Sequence, residues 1–215
     1  MSYEIMRTDV VNVTRTMLTL GLTFGDSGSV SARVGEAAGR ALLAITPQGR
    51  YVDELASHDI VIVGEEGKPV EGKSTPSAEL SLHVAVYRAR PDVGAVIHAH
   101  PPMSSATAVV GRPIPPILED QLVYLGGQIE VAPYALPGSQ EWVWGAVKAL
   151  SNRNACLLAN HGALIVGKDL KAALIACQFL EKCAMAFLYA TWAGQVNSLP
   201  PQVAKTETTL FEVQR

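Results

Sequence analysis

Apolar residues recur in several segments of this chain at three- and four-residue steps, which is the spacing of an amphipathic helix. Residues 4–20 follow this pattern, and Gly21 supplies a stop. Shorter helices are predicted over 104–110 and, after a Pro-Gly-Ser cap, up to Leu150. Residues 169–192 are apolar nearly all round, which predicts a helix buried against another element or another subunit.

Short apolar runs separated by turn residues predict strands between these helices. A loop rich in glycine and serine at 25–33 feeds a short strand, and a turn at 35–39 leads to a strand at 41–45, so an antiparallel hairpin is predicted. Further strands are predicted at 59–64, 95–100, 129–132, 155–159 and 163–166. Alternating strands and helices indicate one α/β domain over 1–215, with a tail at 197–215 that is ordered only locally.

The composition excludes several classes of partner. The net charge is -3 and the basic residues are scattered, so no nucleic acid is expected as a partner. Cys156, Cys177 and Cys183 lie in apolar segments and fit small core residues in a reducing compartment. The N-terminus lacks a targeting pattern, and no stretch reaches the ~18 uninterrupted apolar residues of a membrane span. A soluble, cytoplasmic protein is expected.

The run Ala95-Val96-Ile97-His98-Ala99-His100 ends a predicted strand with two histidines. Alternate side chains of a strand share one face, so both imidazoles can reach one point in space. His161 supplies a third imidazole at the end of another apolar run. Three histidines with an open position suit a catalytic divalent metal, whereas structural sites normally use four protein ligands. The alternative for the first pair alone is two hydrogen-bonded core histidines.

An acid precedes the histidine strand, at the predicted start of a helix. Thr75 can cap this helix, Pro76 suits its first position, and Glu79 falls in its first turn. Acids are common in first turns because the helix dipole favours them, but Glu79 can also act as a base beside the metal strand. His83, one turn further on, is interpreted as a core or supporting histidine rather than a ligand.

Two loops and one acidic pair each admit two interpretations. Gly28-Ser29 and Gln48-Gly49 lie in loops that either bind an anion through backbone N–H groups or only turn the chain. Glu119 and Asp120 stand among apolar residues, which fits either an exposed subunit edge or a functional role. The residues themselves leave these alternatives open.

Three motifs taken together resemble the class II aldolase/adducin family. They are Pro76-Ser77-Ala78-Glu79, Ala95-Val96-Ile97-His98-Ala99-His100-Pro101 and Leu157-Leu158-Ala159-Asn160-His161-Gly162. The loops at Gly28-Ser29 and Gln48-Gly49 fall where this family binds anions, and the resemblance spans about residues 5–195. Each motif is common alone, and the combination is specific.

The resemblance implies a three-layer α/β/α fold with a central, largely antiparallel sheet. It also implies a fourfold-symmetric homotetramer with active sites between subunits. His98, His100 and His161 would hold the metal, usually Zn²⁺, with Mn²⁺, Co²⁺ or Mg²⁺ in some relatives. Glu79 would be the catalytic acid/base. The substrate-binding positions would be Gly28, Ser29, Gln48, Gly49 and Ser77.

Departures from the fuculose-type aldolases of this family concern the substrate. Their Gly-Asn, Thr-Gly and Ser-Ser pairs are replaced here by Gly28-Ser29, Gln48-Gly49 and Ser77-Ala78. Phosphate recognition is therefore altered, and an unphosphorylated ketone or a carboxylate is an alternative substrate. Asp120 stands near the position of a tyrosine that acts as proton donor from the neighbouring subunit, and we assign Asp120 a catalytic role.

The leading hypothesis is a metal-dependent lyase that reversibly cleaves a hydroxy-ketone sugar or sugar phosphate through a metal-stabilised enediolate. A metal-dependent decarboxylase or a sugar-phosphate 4-epimerase would use the same ligands with another substrate. The third hypothesis is a non-catalytic binding module like the adducin head domain. The presence of all three histidines and Glu79 argues against this module, which needs no metal.

Overall fold

The computed structural model describes residues 3–37 and 40–214 of the chain. Its strands are β1 (Ser29–Ala37), β2 (Arg40–Ile45), β3 (Val61–Gly64), β4 (Pro69–Glu71), β5 (Ala95–Ala99), β6 (Val131–Ala132), β7 (Ala155–Leu158) and β8 (Gly162–Gly167). They form one eight-stranded sheet in the order β4-β3-β2-β1-β5-β8-β7-β6. Neighbouring strands are antiparallel except β6 and β7, which are parallel. The largely antiparallel sheet is therefore confirmed, in a mixed form.

Helices cover both faces of this sheet. They are α1 (Glu4–Thr19), α2 (Leu80–Ala89), α3 (Pro102–Val110), α4 (Glu119–Leu125), α5 (Gln140–Leu150), α6 (Leu170–Ala193) and α7 (Pro201–Gln214). Leu82 of α2 and Ala146 of α5 belong to the core on one face, and Val10 of α1 and Leu180 of α6 belong to the core on the other. The three-layer α/β/α arrangement is confirmed.

Side chains of β5 alternate between the two cores. Ala95, Ile97 and Ala99 pack with α1, α3 and α6, whereas Val96 packs with α2 and α5. His98 has the same parity as Val96, so its side chain projects toward α2 and α5. All five residues of β5 are buried, as expected for an apolar strand covered on both faces.

Helix α2 begins at Leu80, later than the predicted start near Pro76. Pro76 instead forms an isolated bridge with Pro47, and the Ser77 amide donates to the carbonyl of the residue before Pro47 at 3.0 Å. These tertiary hydrogen bonds override the local capping pattern. Glu79 is therefore the residue that immediately precedes the helix.

The predicted turn at 35–39 lies partly outside the described residues, and β1 continues through Ala37. The three cysteines are buried and unpaired, as their apolar surroundings predict. Burial raises the pKa of each of these thiols to about 12, which leaves them unreactive at neutral pH.

Helix α6 is buried along one side only. Ala173, Cys177 and Leu180 are buried in the core beneath this helix, whereas Tyr189 and Trp192 near its end are 56% and 87% exposed. Among the described residues, α6 is the one helix long and apolar enough to cross a membrane, by length and composition alone. Its inner side forms a layer of the core, so the predicted burial against another element is confirmed for that side.

The C-terminal tail forms helix α7, although its composition predicts only local order. Phe211 is 8% exposed, and its ring lies against the backbone of Gly126 at the end of α4. A Cβ at Gly126 would lie 2.4 Å from Cε1 of this ring, and the φ of Gly126 is +82°, so this contact requires glycine. The buried Phe211 side chain thus helps to dock the tail on the domain.

We expect Phe211→Ala to release α7, because truncating a buried phenylalanine typically costs about 3–5 kcal/mol. Hydrogen exchange followed by mass spectrometry should show lost protection in 201–214 and unchanged protection in the central strands. Leu210→Ala is the matched control, since Leu210 lies on the same helix and is 47% exposed. Similar exchange in the two variants would contradict this role of Phe211.

Candidate metal centre and its acid

The position of β5 between β1 and β8 brings three histidines together. His98 lies near the end of β5, and His100 follows the last residue of that strand. Ala99 pairs with Ala163 at the start of β8, so the turn between β7 and β8, which carries His161, stands beside the end of β5. One possible ligand atom from each histidine lies within 4.8 Å of the others.

A glycine allows the turn to approach β5 so closely. Asn160 in this turn has a φ of +55°, in the left-handed region that asparagine tolerates better than most residues. A Cβ at Gly162 would lie 2.5 Å from the carbonyl oxygen of Ala99 and 2.5 Å from Cδ2 of His100. Any side chain at Gly162 would therefore push the turn away from β5.

The nitrogen atoms of this cluster fit a metal ion. Nε2 of His98 and Nε2 of His161 are buried without a hydrogen-bond partner, and such atoms are uncommon in folded proteins. Burial, together with His98 and His161, lowers the pKa of His100 to about 4, so its imidazole is neutral, as metal binding requires. A hydrogen-bonded core histidine, the alternative for His98, would have a partner for its Nε2.

Glu79 places its carboxylate against the histidine cluster. Its Oε2 lies 2.6 Å from Nδ1 of His98 and accepts a 2.6 Å hydrogen bond from the Ser29 hydroxyl, and its Oε1 lies 3.9 Å from Nε2 of His161. Burial alone would raise the pKa of Glu79, but the attraction of His98 and the favourable contacts with His161, His98 and Ser29 hold this pKa well below its usual range. Glu79 is therefore ionised, the state that a base requires.

A series of buried polar side chains from β1 and α2 extends from Glu79 away from the histidine cluster. Nε2 of His83 lies 2.8 Å from the Ser29 hydroxyl oxygen, and Nδ1 of His83 lies 2.7 Å from that of Ser31. The Ser31 oxygen also lies 3.0 Å from the Tyr87 hydroxyl. These contacts agree with a supporting rather than a ligating His83, whereas the parts of Ser31 and Tyr87 were not predicted.

The first predicted substrate loop contacts the metal centre directly. Ser29 is paired with His98 in the β1–β5 ladder, which places its side chain beside Glu79. Gly28 has a φ of +80°, and a Cβ there would lie 2.8 Å from the His98 carbonyl oxygen. Glycine is therefore required at this position by both backbone conformation and space.

The second predicted loop lies next to the segment before α2. The Gln48 amide donates to the Thr75 carbonyl at 2.9 Å, while Gln48 and Gly49 are exposed. Ser77 is buried, and its hydroxyl oxygen accepts a 3.2 Å hydrogen bond from the Glu79 amide. Ser77 thus holds the acid, and the exposed loop borders the same segment.

Asp120 is not joined to the histidines within one chain. Its exposed carboxylate, in the first turn of α4, forms an ion pair with Lys182 of α6. Across residues 3–37 and 40–214, no hydrogen bond or ion pair connects Asp120 with Glu79 or the histidine cluster. The predicted catalytic contact of Asp120 is therefore not made within the described part of a single chain.

One aromatic residue of the site carries no signal in the sequence. Trp142 is 3% exposed, and its ring meets His98 and His161 edge-on, with centroids 6.0 Å and 5.6 Å away. It lies in the first turn of α5, where its amide donates to the capping Ser139 hydroxyl. Its apolar position on a helix does not reveal which strand it faces.

Comparisons with known proteins agree with this geometry. The family model for the Class II Aldolase and Adducin N-terminal domain matches residues 8–188. The 5-methylthioribulose-1-phosphate/5-deoxyribulose-1-phosphate aldolase of Rhodospirillum rubrum is 35% identical over 195 residues, 91% of this chain and 86% of the relative. The 5-deoxy-D-ribulose 1-phosphate aldolase of Bacillus thuringiensis is 30% identical over 206 residues, 96% and 95% of the two chains. A solved structure of L-fuculose 1-phosphate aldolase has a TM-score of 0.89 at 30% identity, covering 96% and 95% of the two chains.

These relatives are named aldolases, and their similarity to this chain extends over nearly its whole length. Their shared enzyme class is that of the class II aldolases, which are lyases. This chain therefore belongs to the class II aldolase and adducin family and is a lyase of the class II aldolase type.

Proposed function

We propose that this protein is a divalent-metal-dependent aldolase that reversibly cleaves a ketose 1-phosphate. The observation that carries the proposal is the three-histidine cluster with its unpaired nitrogens and an ionised Glu79 against it. A binding module would not need an acid held at this place, so the arrangement favours catalysis.

In the cleavage direction, the hydroxyl on C4 loses its proton, the C3–C4 bond breaks, and the C2 carbonyl accepts the electron pair. An aldehyde leaves, and a proton returned to C3 completes a three-carbon ketone phosphate. A divalent cation held by His98, His100 and His161 would polarise the C2 carbonyl and stabilise the negative charge that develops there. Zn²⁺ is the ion we propose, with Mn²⁺, Co²⁺ or Mg²⁺ as alternatives, since imidazole ligands suit Zn²⁺ well.

Glu79 is assigned the proton transfer at C3. It returns the proton in cleavage and removes it in synthesis. The Ser29 hydroxyl donates to Oε2, which also lies against His98, so this oxygen is held in place. Oε1, 3.9 Å from Nε2 of His161, is less engaged and is the oxygen we assign to the proton.

The substrate class follows from the relatives and from the loops. The aldolases that this chain resembles are named for sugar phosphates, which supports a phosphorylated ketose. The hydroxyls of Ser29 and Ser77 are engaged with Glu79, so we assign phosphate contacts to backbone N–H groups at Gly28-Ser29 and Gln48-Gly49. Ala78 offers no side-chain donor, and an unphosphorylated ketone is the alternative substrate.

We further propose a cytoplasmic homotetramer with active sites at its subunit interfaces. Asp120 would then reach the site of the neighbouring subunit and exchange the proton of the C4 hydroxyl. The exposed aromatic residues Tyr189 and Trp192 support an interface along the outer side of α6, the helix whose Lys182 pairs with Asp120.

The metal content of the purified protein tests the cluster. We expect about one divalent ion per chain, as in a three-histidine catalytic site, measured by elemental analysis without added metal. His98→Ala should lose this ion, because it removes a ligand. His58→Ala is the control, since the His58 side chain is 79% exposed and outside the cluster. A wild-type protein without metal, which also takes up none on titration, would leave only the binding module.

Product analysis tests the reaction and the role of Glu79. Wild-type protein incubated with a panel of ketose 1-phosphates should release an aldehyde and a three-carbon ketone phosphate. Glu79→Gln should lower kcat about 100- to 10,000-fold, the usual contribution of a general acid/base, with the metal retained. Glu54→Gln, at an exposed loop position, should have no effect.

Other products would indicate a different reaction or substrate. Release of carbon dioxide would indicate a decarboxylase, recovery of a C4 epimer would indicate an epimerase, and cleavage of unphosphorylated ketones alone would exclude a phosphate site. A Glu79→Gln variant with wild-type kcat would remove Glu79 from the mechanism.

Subunit complementation tests Asp120. Asp120→Asn and Glu79→Gln should each be impaired, but tetramers mixed from both should regain part of the wild-type activity, because some sites combine intact Glu79 with an intact neighbouring Asp120. Asp53→Asn, at an exposed position outside the site, serves as the single-variant control. Mixed tetramers that are no more active than the two parents would contradict a role across the interface.

A further inference from the structure

We propose that His83 is a positioning residue, which holds the Ser29 hydroxyl so that its single proton points at the Glu79 carboxylate. The polar chain defined by Tyr87, Ser31, His83 and Ser29 is then a one-way series of hydrogen bonds that ends at Glu79. The inference rests on the proposed function only in taking Glu79 as the catalytic acid/base. The direction of the series can be measured without any substrate.

The direction in which the hydrogen bonds point follows from the number of protons that each side chain can donate. The Ser29 hydroxyl donates its one proton to Oε2 of Glu79 over 2.6 Å. The Ser29 oxygen can then only accept from Nε2 of His83, 2.8 Å away, so Nε2 carries a proton. This assigns the His83 tautomer from the hydrogen bond between Ser29 and Glu79.

The second nitrogen of the same ring extends the series. Burial lowers the pKa of His83 to about 4, although Glu79 acts to raise it, so the ring is neutral and its Nδ1 is an acceptor. Ser31, 2.7 Å from Nδ1, must donate its proton there and must accept from the Tyr87 hydroxyl at 3.0 Å. Each group thus donates in the direction of Glu79, and each donor–acceptor pair has one permitted orientation.

Regular secondary structure holds the series in place. Ser29 and Ser31 are alternate residues of β1, spaced by about 7 Å on one face of the strand. His83 and Tyr87 are one turn apart on α2, spaced by about 6 Å along its axis. The two spacings nearly match, so side chains of the helix and side chains of the strand can alternate along the hydrogen-bonded series.

The far end of the series is anchored as well. Tyr87 is 5% exposed, and the Arg33 guanidinium stacks over its ring with 4.7 Å to the centroid. Arg33 also donates to the carbonyls of Val93 and Tyr87 at 2.8 Å and 2.9 Å. The Tyr87 hydroxyl therefore cannot turn away from Ser31 without disturbing these contacts.

Loss of His83 would leave Ser29 able to rotate its proton away from Glu79. The carboxylate would lose its oriented donor, while His98, His100 and His161 would keep their places. Because groups that orient a catalytic centre from behind typically contribute 10- to 100-fold, we expect kcat to fall by about that factor, with KM and metal content unchanged.

Histidine NMR tests the direction directly. In protein labelled with ¹⁵N-histidine, the His83 signal, identified by its absence from His83→Gln, should belong to a neutral ring protonated at Nε2. A ring protonated at Nδ1, or at both nitrogens, would overturn the proposal whether or not the protein is an aldolase. A failed aldolase assay with the expected tautomer would instead count against the proposed function alone.

A double-mutant cycle tests whether His83 acts through Ser29. His83→Leu and Ser29→Ala should each lower kcat about 10- to 100-fold, and the double variant should be no slower than the slower single variant. His83→Gln, whose amide can both donate and accept, should recover part of the loss. Additive losses, or no recovery by glutamine, would overturn the proposal.

A control separates positioning from simple loss of stability. Val86 is buried on the same helix and has no polar side-chain atom, so Val86→Ala should lower the melting temperature without changing kcat. If Val86→Ala lowered kcat as much as His83→Leu, the effect of His83 would be structural and the proposal would fail.

Discussion

The two backbone ladders on either side of β5 determine where the three clustered histidines and Glu79 lie. The register that sets Ser29 opposite His98 also sets Ala99 opposite Ala163, so a β1 hydroxyl and the β7–β8 turn meet at the same end of β5. A slip by one residue would turn the side chains of β5 to opposite faces. Ile97 and its neighbours fill a core on the other face, so packing specifies the register and thereby the positions of His98 and Ser29.

Buried histidines of this domain fall into two kinds, which their partners distinguish. His83 and His98 are both fully buried, and burial alone would suggest two core residues. His83 has a serine hydroxyl at each ring nitrogen, whereas Nε2 of His98 has no partner. One buried imidazole has a partner at both nitrogens and the other has an unpaired nitrogen, and this difference favours a ligand at His98, because unpaired buried polar groups are costly. The contrast assigns a supporting part to His83 on physical grounds.

Sequence patterns predicted the parts of this site that depend on local periodicity. The alternation of β5 sufficed to place His98 and His100 on one face, and the apolar run before His161 sufficed to put it at a strand end. The predicted start of α2 was wrong. The bridge between Pro47 and Pro76 joins segments far apart in the chain, and a local capping pattern does not reveal such a contact. The roles of Ser31, Tyr87 and Trp142 depend on how a helix is rotated against the sheet, which one sequence does not encode locally. The contact of Phe211 with Gly126, which helps to dock α7, is of the same kind.

Chemistry and recognition are carried by different kinds of structure in this protein. His98, His83 and Ser29 lie on regular elements, are buried, and are fixed by contacts on several sides. Gln48 and Ala78, where this chain departs from the fuculose-type pattern, are exposed in loops at the border of the site. A change among the buried groups alters several hydrogen bonds or packing contacts at once, whereas a change in an exposed loop alters only what the loop touches. Substrate preference can therefore change through the loops without a change in the three histidines or Glu79, so substrate preference and catalysis have to be measured separately.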